Sequence, residues 1–252
     1  MGVRIIETLP LPGGGEVDVI IGVTASLLAY RPPPGGGGPT PQTVPAPVAY
    51  WPFDGDANDD SGNNWHLTPA NVSYVAGQFG QGASLAGFFS GDLRTYWGGI
   101  LSGDTAGTYT IAFWGEITGA SAGTVSITDG FGTAVIRFDI DRADFDVSNG
   151  VHLEAAGVGM DRFFGATSGW HHVALVVSAG SAQLYLDGVA SGPPQAVFPE
   201  TLYFNPMGEL ILQAPQSGAA KYDDMAIWSS ALTPEQVLWM AVGGSPVADL
   251  IA

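Results

Sequence analysis

The sequence predicts an all-β protein: an antiparallel two-sheet sandwich with an extended N-terminal arm and a short C-terminal helix. Three observations carry this. Short apolar runs recur between turn signals along a chain of 252 residues with 37 glycines and 18 prolines, the rhythm of an antiparallel sandwich. The run Gln183–Asp187 alternates strictly, with Leu184 and Leu186 on one face and Gln183, Tyr185 and Asp187 on the other. A Pro/Gly-rich segment divides a β-rich leader from the remainder.

That division sets three regions: an arm at 1–31, a linker at 32–47 and a sandwich domain at 48–252. In the arm, Val3–Leu9 alternates, Pro10–Gly15 breaks it, and Glu16–Arg31 is again β-rich. Val3, Ile5, Ile6, Val17, Val19, Ile20, Ile21, Leu27 and Leu28 are its apolar positions. So few residues bury such side chains poorly on their own. The arm is therefore expected to dock onto another copy of the chain, another protein or the sandwich itself. The linker, Pro32-Pro-Pro-Gly-Gly-Gly-Gly-Pro and onward, is an extended, partly flexible spacer.

Within the domain, strands are expected near 48–53, 72–75, 83–88, 109–117, 124–128, 133–140, 144–153, 170–177, 183–187, 209–213 and 222–228. Ser178–Ala182 suits a hairpin loop, and Asp187-Gly188 a tight turn. Thr233 is a helix N-cap, Pro234 the first helical residue and Gln236 the partner in a capping box; Gly243-Gly244 ends the helix.

Net charge is −17, with one lysine and six arginines. Such a surface repels phosphate backbones and anionic headgroups, so neither nucleic acid nor membrane is an expected partner. There are no cysteines, which excludes a disulfide scaffold and thiol chemistry. The longest apolar stretch, Val19–Tyr30, is too short for a membrane span, and acidic residues precede it. No signal peptide is expected, and synthesis in a cytoplasm is.

Several blocks together resemble a known family. Trp170-His-His-Val-Ala, a small-residue turn and Leu184-Tyr-Leu-Asp-Gly are similar to the laminin G-like branch of the concanavalin A-like jelly rolls. Val48-Ala-Tyr-Trp-Pro-Phe-Asp-Gly resembles that family's first strand, and Asp59-Asp-Ser-Gly-Asn-Asn its acidic loop. Gly77–Leu85, Tyr109–Trp114 and Tyr222–Trp228 with Ala231–Gln236 resemble later blocks in the same order. The resemblance spans about Val48 to Val242. It implies a jelly-roll sandwich, a fold used mostly for binding, often of sugars.

The Gly-rich loop Asp54–Asn64 carries many hard oxygen donors of the kind calcium takes, though not at EF-hand spacing. A solvated turn with local Asp and Asn caps is the alternative. By the resemblance, a structural calcium would use Asp54, Asp59 and Asp223 or Asp224. The run Arg137–Val147 suggests a hairpin with Asp139, Asp141, Asp144 and Asp146 on one face, balanced by Arg137, Arg142 or a cation, or simply a polar outer face. His171 and His172 are neighbours on a strand and point to opposite faces, so they cannot both hold one ion. By the resemblance they are structural.

Catalytic patterns are absent. The related glucanases carry Glu-x-Asp-x-x-Glu; the nearest match, Glu16-Val-Asp-Val-Ile, lacks the third acid and lies in the arm. The expectation is a non-enzyme. For sugar binding, Trp65, Tyr96 and Trp97 fall in expected loops beside Asn64 and Arg94, and these five are the candidate glycan contacts. Trp51, Trp114, Trp170 and Trp228 match core positions of the family. Asn71-Val-Ser is a glycosylation sequon without an export signal to give it meaning.

The expectation is a non-enzymatic virion structural protein, a decoration, fibre or tail component of a phage or other virus, homo-oligomeric and held by its arm. Its jelly roll binds a host-surface glycan or only covers the shell. A soluble or surface lectin, and a glycan hydrolase or lyase of the same superfamily, are the alternatives.

Overall fold

A computed structural model describes residues 5–10, 16–22, 25–31, 42–86, 91–96, 100, 108–118, 123–128, 134–140, 150–155, 158–163, 169–178, 180–196, 209–213 and 219–252. The chain divides into two compact units, Met1–Gln42 and Thr43–Ala252.

The first unit is an antiparallel meander of β1 (Ile5–Pro10), β2 (Glu16–Gly22) and β3 (Ala25–Arg31). Val17 pairs with Leu9 and Tyr30, and Val19 with Leu28. By register, Val17, Val19, Leu9, Leu28 and Tyr30 share one face with Glu7, which pairs with Val19. The β-rich stretch Glu16–Arg31 forms the two paired strands β2 and β3, with Gly22 closing β2. Val3 lies outside the described residues.

The second unit contains β4 (Ala49–Trp51), β5 (Thr68–Ala70), β6 (Val72–Ala76), β7 (Gln81–Ala86), β8 (Asp92–Tyr96), β9 (Tyr109–Thr118), β10 (Gly123–Thr128), β11 (Ala134–Ile140), β12 (Gly150–Ala155) and β13 (Val158–Phe163). There follow β14 (His171–Ser178), β15 (Ser181–Leu186), β16 (Val189–Ala190), β17 (Gln195–Ala196), β18 (Glu209–Gln213), β19 (Ala219–Trp228) and helix α1 (Pro234–Val242). One sheet has the order β13-β12-β11-β10-β18-β8-β5; the other runs β16-β15-β14-β9-β19-β7-β6, with β17 on β15 and β4 on β19. Every described pairing between named strands is antiparallel.

Period-two patterning builds the core between the sheets. Ile111 and Phe113 on β9, Val173, Leu175 and Val177 on β14, Leu184 on β15, and Leu210 and Leu212 on β18 form one buried cluster with Trp51 and Phe53. The intervening positions face the other way, yet many are buried too. Ala112, Ala174, Val176, Tyr185, Ala226 and Trp228 form a second cluster beneath α1, whose Val237 and Met240 cover them with Val247 and Leu250. Tyr185, expected on a polar face, is thus core. The capping box at Thr233 and Gln236 is present.

The C-terminal end seals this second layer. Val44 forms a parallel bridge with Ile251, and Trp228 Nε1 donates to Pro45 O at 2.8 Å. The hairpin expected to span five loop residues is tighter. Ser178 pairs with Ser181, and Gly180 adopts φ 76° to make the turn. Asp187-Gly188 forms the expected turn, with φ of 47° and 79°. Of the strand expected at 144–153, residues 150–153 are described and lie in β12, which pairs with β11. Asp141, Arg142, Asp144 and Asp146 lie outside the described residues.

Candidate functional site

The acidic loop after β4 is organised by one side chain. Asp59 is 5% exposed, and its carboxylate accepts four hydrogen bonds. Oδ1 takes the N–H groups of Tyr50 and Ser61; Oδ2 takes the Ser61 hydroxyl and the Trp65 N–H, each at 2.9 Å. The loop winds around this anion because its short polar residues offer nearby donors. Asp59 N–H donates in turn to His66 Nδ1 at 3.0 Å.

Asp54 performs a similar task on the next turn. Its Oδ1 accepts the Gln81 N–H at 2.7 Å and holds the 77–81 loop. Gly80 sits at φ 57°, where a Cβ would run into the Asp54 carboxylate. Phe53, fully buried at φ 58°, directs the chain into this turn. A bulky residue there carries strain that the packing must hold in place.

Asp223 and Asp224 lie beside that loop, at a bulge in β19. The register shifts between Asp223 and Ala226, so two residues oppose Phe113, and Asp224 takes φ 49°. Both side chains are buried. Asp224 Oδ1 accepts the Tyr50 hydroxyl at 2.6 Å, and Oδ2 accepts the Val247 N–H at 2.9 Å. Burial nevertheless pushes its carboxyl up to about 6. Asp223 Oδ2 accepts the Phe79 N–H at 2.8 Å, while Oδ1 is buried with no hydrogen-bond partner. Burial, with the charge of Asp224 adding to it, pushes Asp223 up to about 7.

These four residues are the sequence-predicted calcium ligands, and most of their described carboxylate oxygens are engaged by N–H and O–H donors. Calcium takes six to eight oxygens around one point. Among the described residues, no group of three or more His, Asp or Glu side chains is arranged to hold a metal. Asp59 and Asp224 spend both carboxylate oxygens on N–H and O–H donors, and Asp54 and Asp223 each spend one.

Of the five candidate glycan contacts, the side chains of Asn64, Trp65 and Arg94 are described. Thr68 of β5 pairs with Arg94 of β8, so the loop that carries Asn64 and Trp65 leads directly alongside Arg94. Asn64 is exposed at φ 62°. The Arg94 side chain is 45% exposed and pairs with Asp92 at 2.6 Å. Trp65 is half-buried against the inter-sheet core, and its carbonyl accepts Trp51 Nε1 at 2.9 Å. Its ring therefore offers a sugar only part of its area. Tyr96 ends β8 opposite Glu209, but its side chain, like all of Trp97, lies outside the described residues.

Trp114, His172 and Asp223 occupy one cross-strand row on the outer face of the second sheet. His172 and Phe79 each meet Trp114 edge to face. Burial pushes His172 down to about 4, so it is neutral near pH 7. His171 Nδ1 is 2.9 Å from Asp187 Oδ2, and His172 N–H donates to Asp187 Oδ1. Both histidines therefore serve the hairpin. The aromatic positions divide similarly: Trp51 and Trp228 are buried, Trp114 nearly so, and Trp170 partly. The bulge that lets Asp223 and Asp224 turn inward was missed by the sequence reading; two adjacent aspartates in an otherwise apolar β run were its signal.

Comparison with known proteins agrees with this architecture. A family described as the concanavalin A-like lectin/glucanases superfamily matches residues 98–238. No curated protein matches the sequence. Among solved structures, the receptor-binding domain of botulinum neurotoxin C/D mosaic serotype is 15% identical, with a TM-score of 0.60, covering 79% of this chain and 51% of that one. A structure of botulinum neurotoxin type C, described by cell entry dependent on two ganglioside molecules, is 13% identical with a TM-score of 0.59, covering 75% and 48%. Domain 4 of an extracellular GH43 arabinanase from Geobacillus stearothermophilus, in complex with arabinotriose, is 18% identical with a TM-score of 0.54, covering 79% and 100%. The chain spans about half the length of the toxin structures and the whole of the arabinanase domain. At such identities the likeness is one of fold. An antiparallel two-sheet sandwich with its closing strand, terminal helix and matched family residues places this chain in the concanavalin A-like lectin/glucanase superfamily.

Proposed function

We propose that this chain is a non-enzymatic structural protein of a virus particle, anchored by residues 1–42 and displaying a jelly roll that binds a surface glycan. The observation that carries the reading is the division of the chain at Gln42 and Thr43. On one side is a three-stranded sheet with a face that by register is apolar except for Glu7; on the other is a sandwich whose first and last segments are bridged at Val44 and Ile251. Each unit is compact by itself, which supports an attachment role for the leader. The partner of the anchor is a particle protein or further copies of the chain.

Glycan binding is supported by the neighbours. One is an arabinanase domain in complex with arabinotriose, and another is described by its ganglioside interaction. The exposed Asn64 and Arg94, with the half-buried Trp65, are the proposed contacts. The strongly acidic surface disfavours anionic partners. A catalytic role would need two carboxylates free to act in one cleft; among the described residues, the close acids Asp54, Asp59 and Asp224 are committed to holding loops.

Deleting residues 1–42 tests the anchor. Incorporation into particles should fall to background while residues 43–252 fold with an unchanged unfolding transition. Normal incorporation of the truncated chain would refute the anchoring role. A free lectin is the second reading, favoured by the arabinanase likeness; it predicts full glycan binding with the first unit dispensable in every assay.

A further inference from the structure

The last strand of a sheet has N–H and C=O groups with no neighbouring strand, and folded proteins blunt such edges with short strands, proline, charge or a covering segment. Most described edges of the second unit are blunted in one of these ways. β5 has three residues and contains Pro69. β16 and β17 have two residues each. β13 carries Asp161 and Arg162. At β4, the Tyr50 N–H donates to Asp59 Oδ1 and the Tyr50 carbonyl accepts the Asp60 N–H. β6 is the exception. It closes its sheet beyond β7, runs for five residues as Val-Ser-Tyr-Val-Ala, and holds neither proline nor charge. Its pairing with β7 is regular from Val72 to Ala76, so no bulge turns the edge away.

The hairpin that joins β6 to β7 fixes which backbone groups face outward. The Gly77 N–H donates to Gly80 O at 3.1 Å, which makes these two a hydrogen-bonded pair. Bonded and non-bonded pairs alternate along an antiparallel ladder. Val75 with Gly82, and Ser73 with Ser84, are then bonded pairs. The N–H and C=O groups of Val72, Tyr74 and Ala76 therefore point away from β7. The Val72 and Tyr74 side chains pack against the inter-sheet core, which leaves Ser73 and Val75 on the outer face.

We propose that β6 pairs with β6 of a second copy of this chain, antiparallel about a two-fold axis at Tyr74. In that register Tyr74 opposes the partner's Tyr74, Val72 opposes the partner's Ala76, and Ser73 opposes the partner's Val75. Each outward residue of β6 then makes both its backbone bonds across the axis. A strand of its own sequence suits this edge because no opposed pair is charged, and the central one is aromatic with aromatic. Such an isologous contact closes after two copies. In a chain of net charge −17, an uncharged edge is where two copies meet with little repulsion. Some repulsion persists through Asp56. Burial first, and the Asp56 charge second, push the Tyr74 hydroxyl up, so that carboxylate lies near the ring. Pairing brings two such carboxylates toward one axis, and added salt should tighten the pair. Strands of five residues make a small contact, so the pair should be reversible. The pairing uses the second unit alone and rests on neither the anchoring nor the glycan reading.

Sedimentation velocity of the full chain, over a concentration series at low and high salt, is the test. Wild type should show a reversible monomer–dimer step that salt shifts toward dimer. Ser73→Lys with Val75→Lys sets like charges across the pairing and should weaken this step about tenfold or more. Ser73→Lys with Val75→Glu sets opposite charges across the same pairs and should restore it to within about threefold of wild type. Circular dichroism and urea unfolding check that each variant is folded. A wild type that shows no such step would overturn the proposal and leave the edge to some other extended chain. Self-association indifferent to both double substitutions would overturn it too, and would assign contact between copies to other residues. So would loss of the step in both variants when folded, because the register at Tyr74 would then be wrong.

Discussion

Replacing Asp223 with asparagine tests the reading of the buried carboxylate pair. Asp223 is fully buried, accepts one N–H from Phe79, and leaves Oδ1 without a partner. Burial lifts its carboxyl from 3.8 to about 7 in the folded state. A raised acid binds a proton more tightly when folded than when unfolded. Its contribution is complete below pH 3.8 and fades as pH rises through about 7. Between pH 5 and pH 8, wild type should lose about 2–3 kcal/mol from this group, two pH units at about 1.4 kcal/mol each.

Two other groups titrate in the same window. Asp224, raised to about 6, acts in the same direction. His172, lowered to about 4, acts in the opposite one, because its stabilisation is present above its unfolded value near 6.5 and lost as pH falls. Both remain in the variant, so the difference between the two pH profiles reports Asp223 together with its coupling to Asp224. The buried amide costs about 1–3 kcal/mol at every pH, which offsets the profile without changing its slope. The assay is urea unfolding of residues 43–252 at each pH, with a chelator present throughout. Asp223→Asn should show a pH slope shallower by the stated amount. Parallel profiles would refute the reasoning. Calcium that stabilised wild type but not the variant would show that a cation uses this carboxylate.

Asp59→Ala removes the acceptor of four hydrogen bonds and should cost about 3 kcal/mol or more, read as a lowered melting temperature by calorimetry. Deleting residues 245–252 uncovers Trp228 and removes Val247 and Leu250 from the second core layer, at about 1.5–3 kcal/mol per side chain; urea unfolding should register their sum. Gly80→Ala forces a Cβ toward the Asp54 carboxylate at φ 57°, and should cost about 1–3 kcal/mol and speed hydrogen exchange at the Gln81 amide.

Strands with plain alternation and firm turn residues were legible from sequence. Glu209–Gln213 and the Asp187-Gly188 turn fall where the pattern puts them. Strands with mixed character were not. Thr68–Ala70 contains a proline, Asp92–Tyr96 carries two charges, and Val158–Phe163 carries a glycine and two charges; sheet pairing overrides their weak local preference. Tyr185 was assigned to a polar face because the alternation does not reveal that α1 covers it. The bulge at Asp224 breaks period two through a left-handed aspartate, which no pattern of apolar residues announces. For the site, the acidic residues were visible but their use was not. Whether a carboxylate meets a cation or a backbone N–H depends on loops that close from distant parts of the chain, as Phe79 does on Asp223.

The account depends most on the claim that the sandwich is a ligand-binding module that leaves its ligand intact. A glycan array probed with residues 43–252, followed by mass analysis of the retained sugars, tests it directly. The account predicts saturable retention of uncharged glycans, weakened by Arg94→Ala, with every chain recovered at its original length. Failure to retain any glycan by a normally folded domain, or recovery of shortened chains, would contradict it.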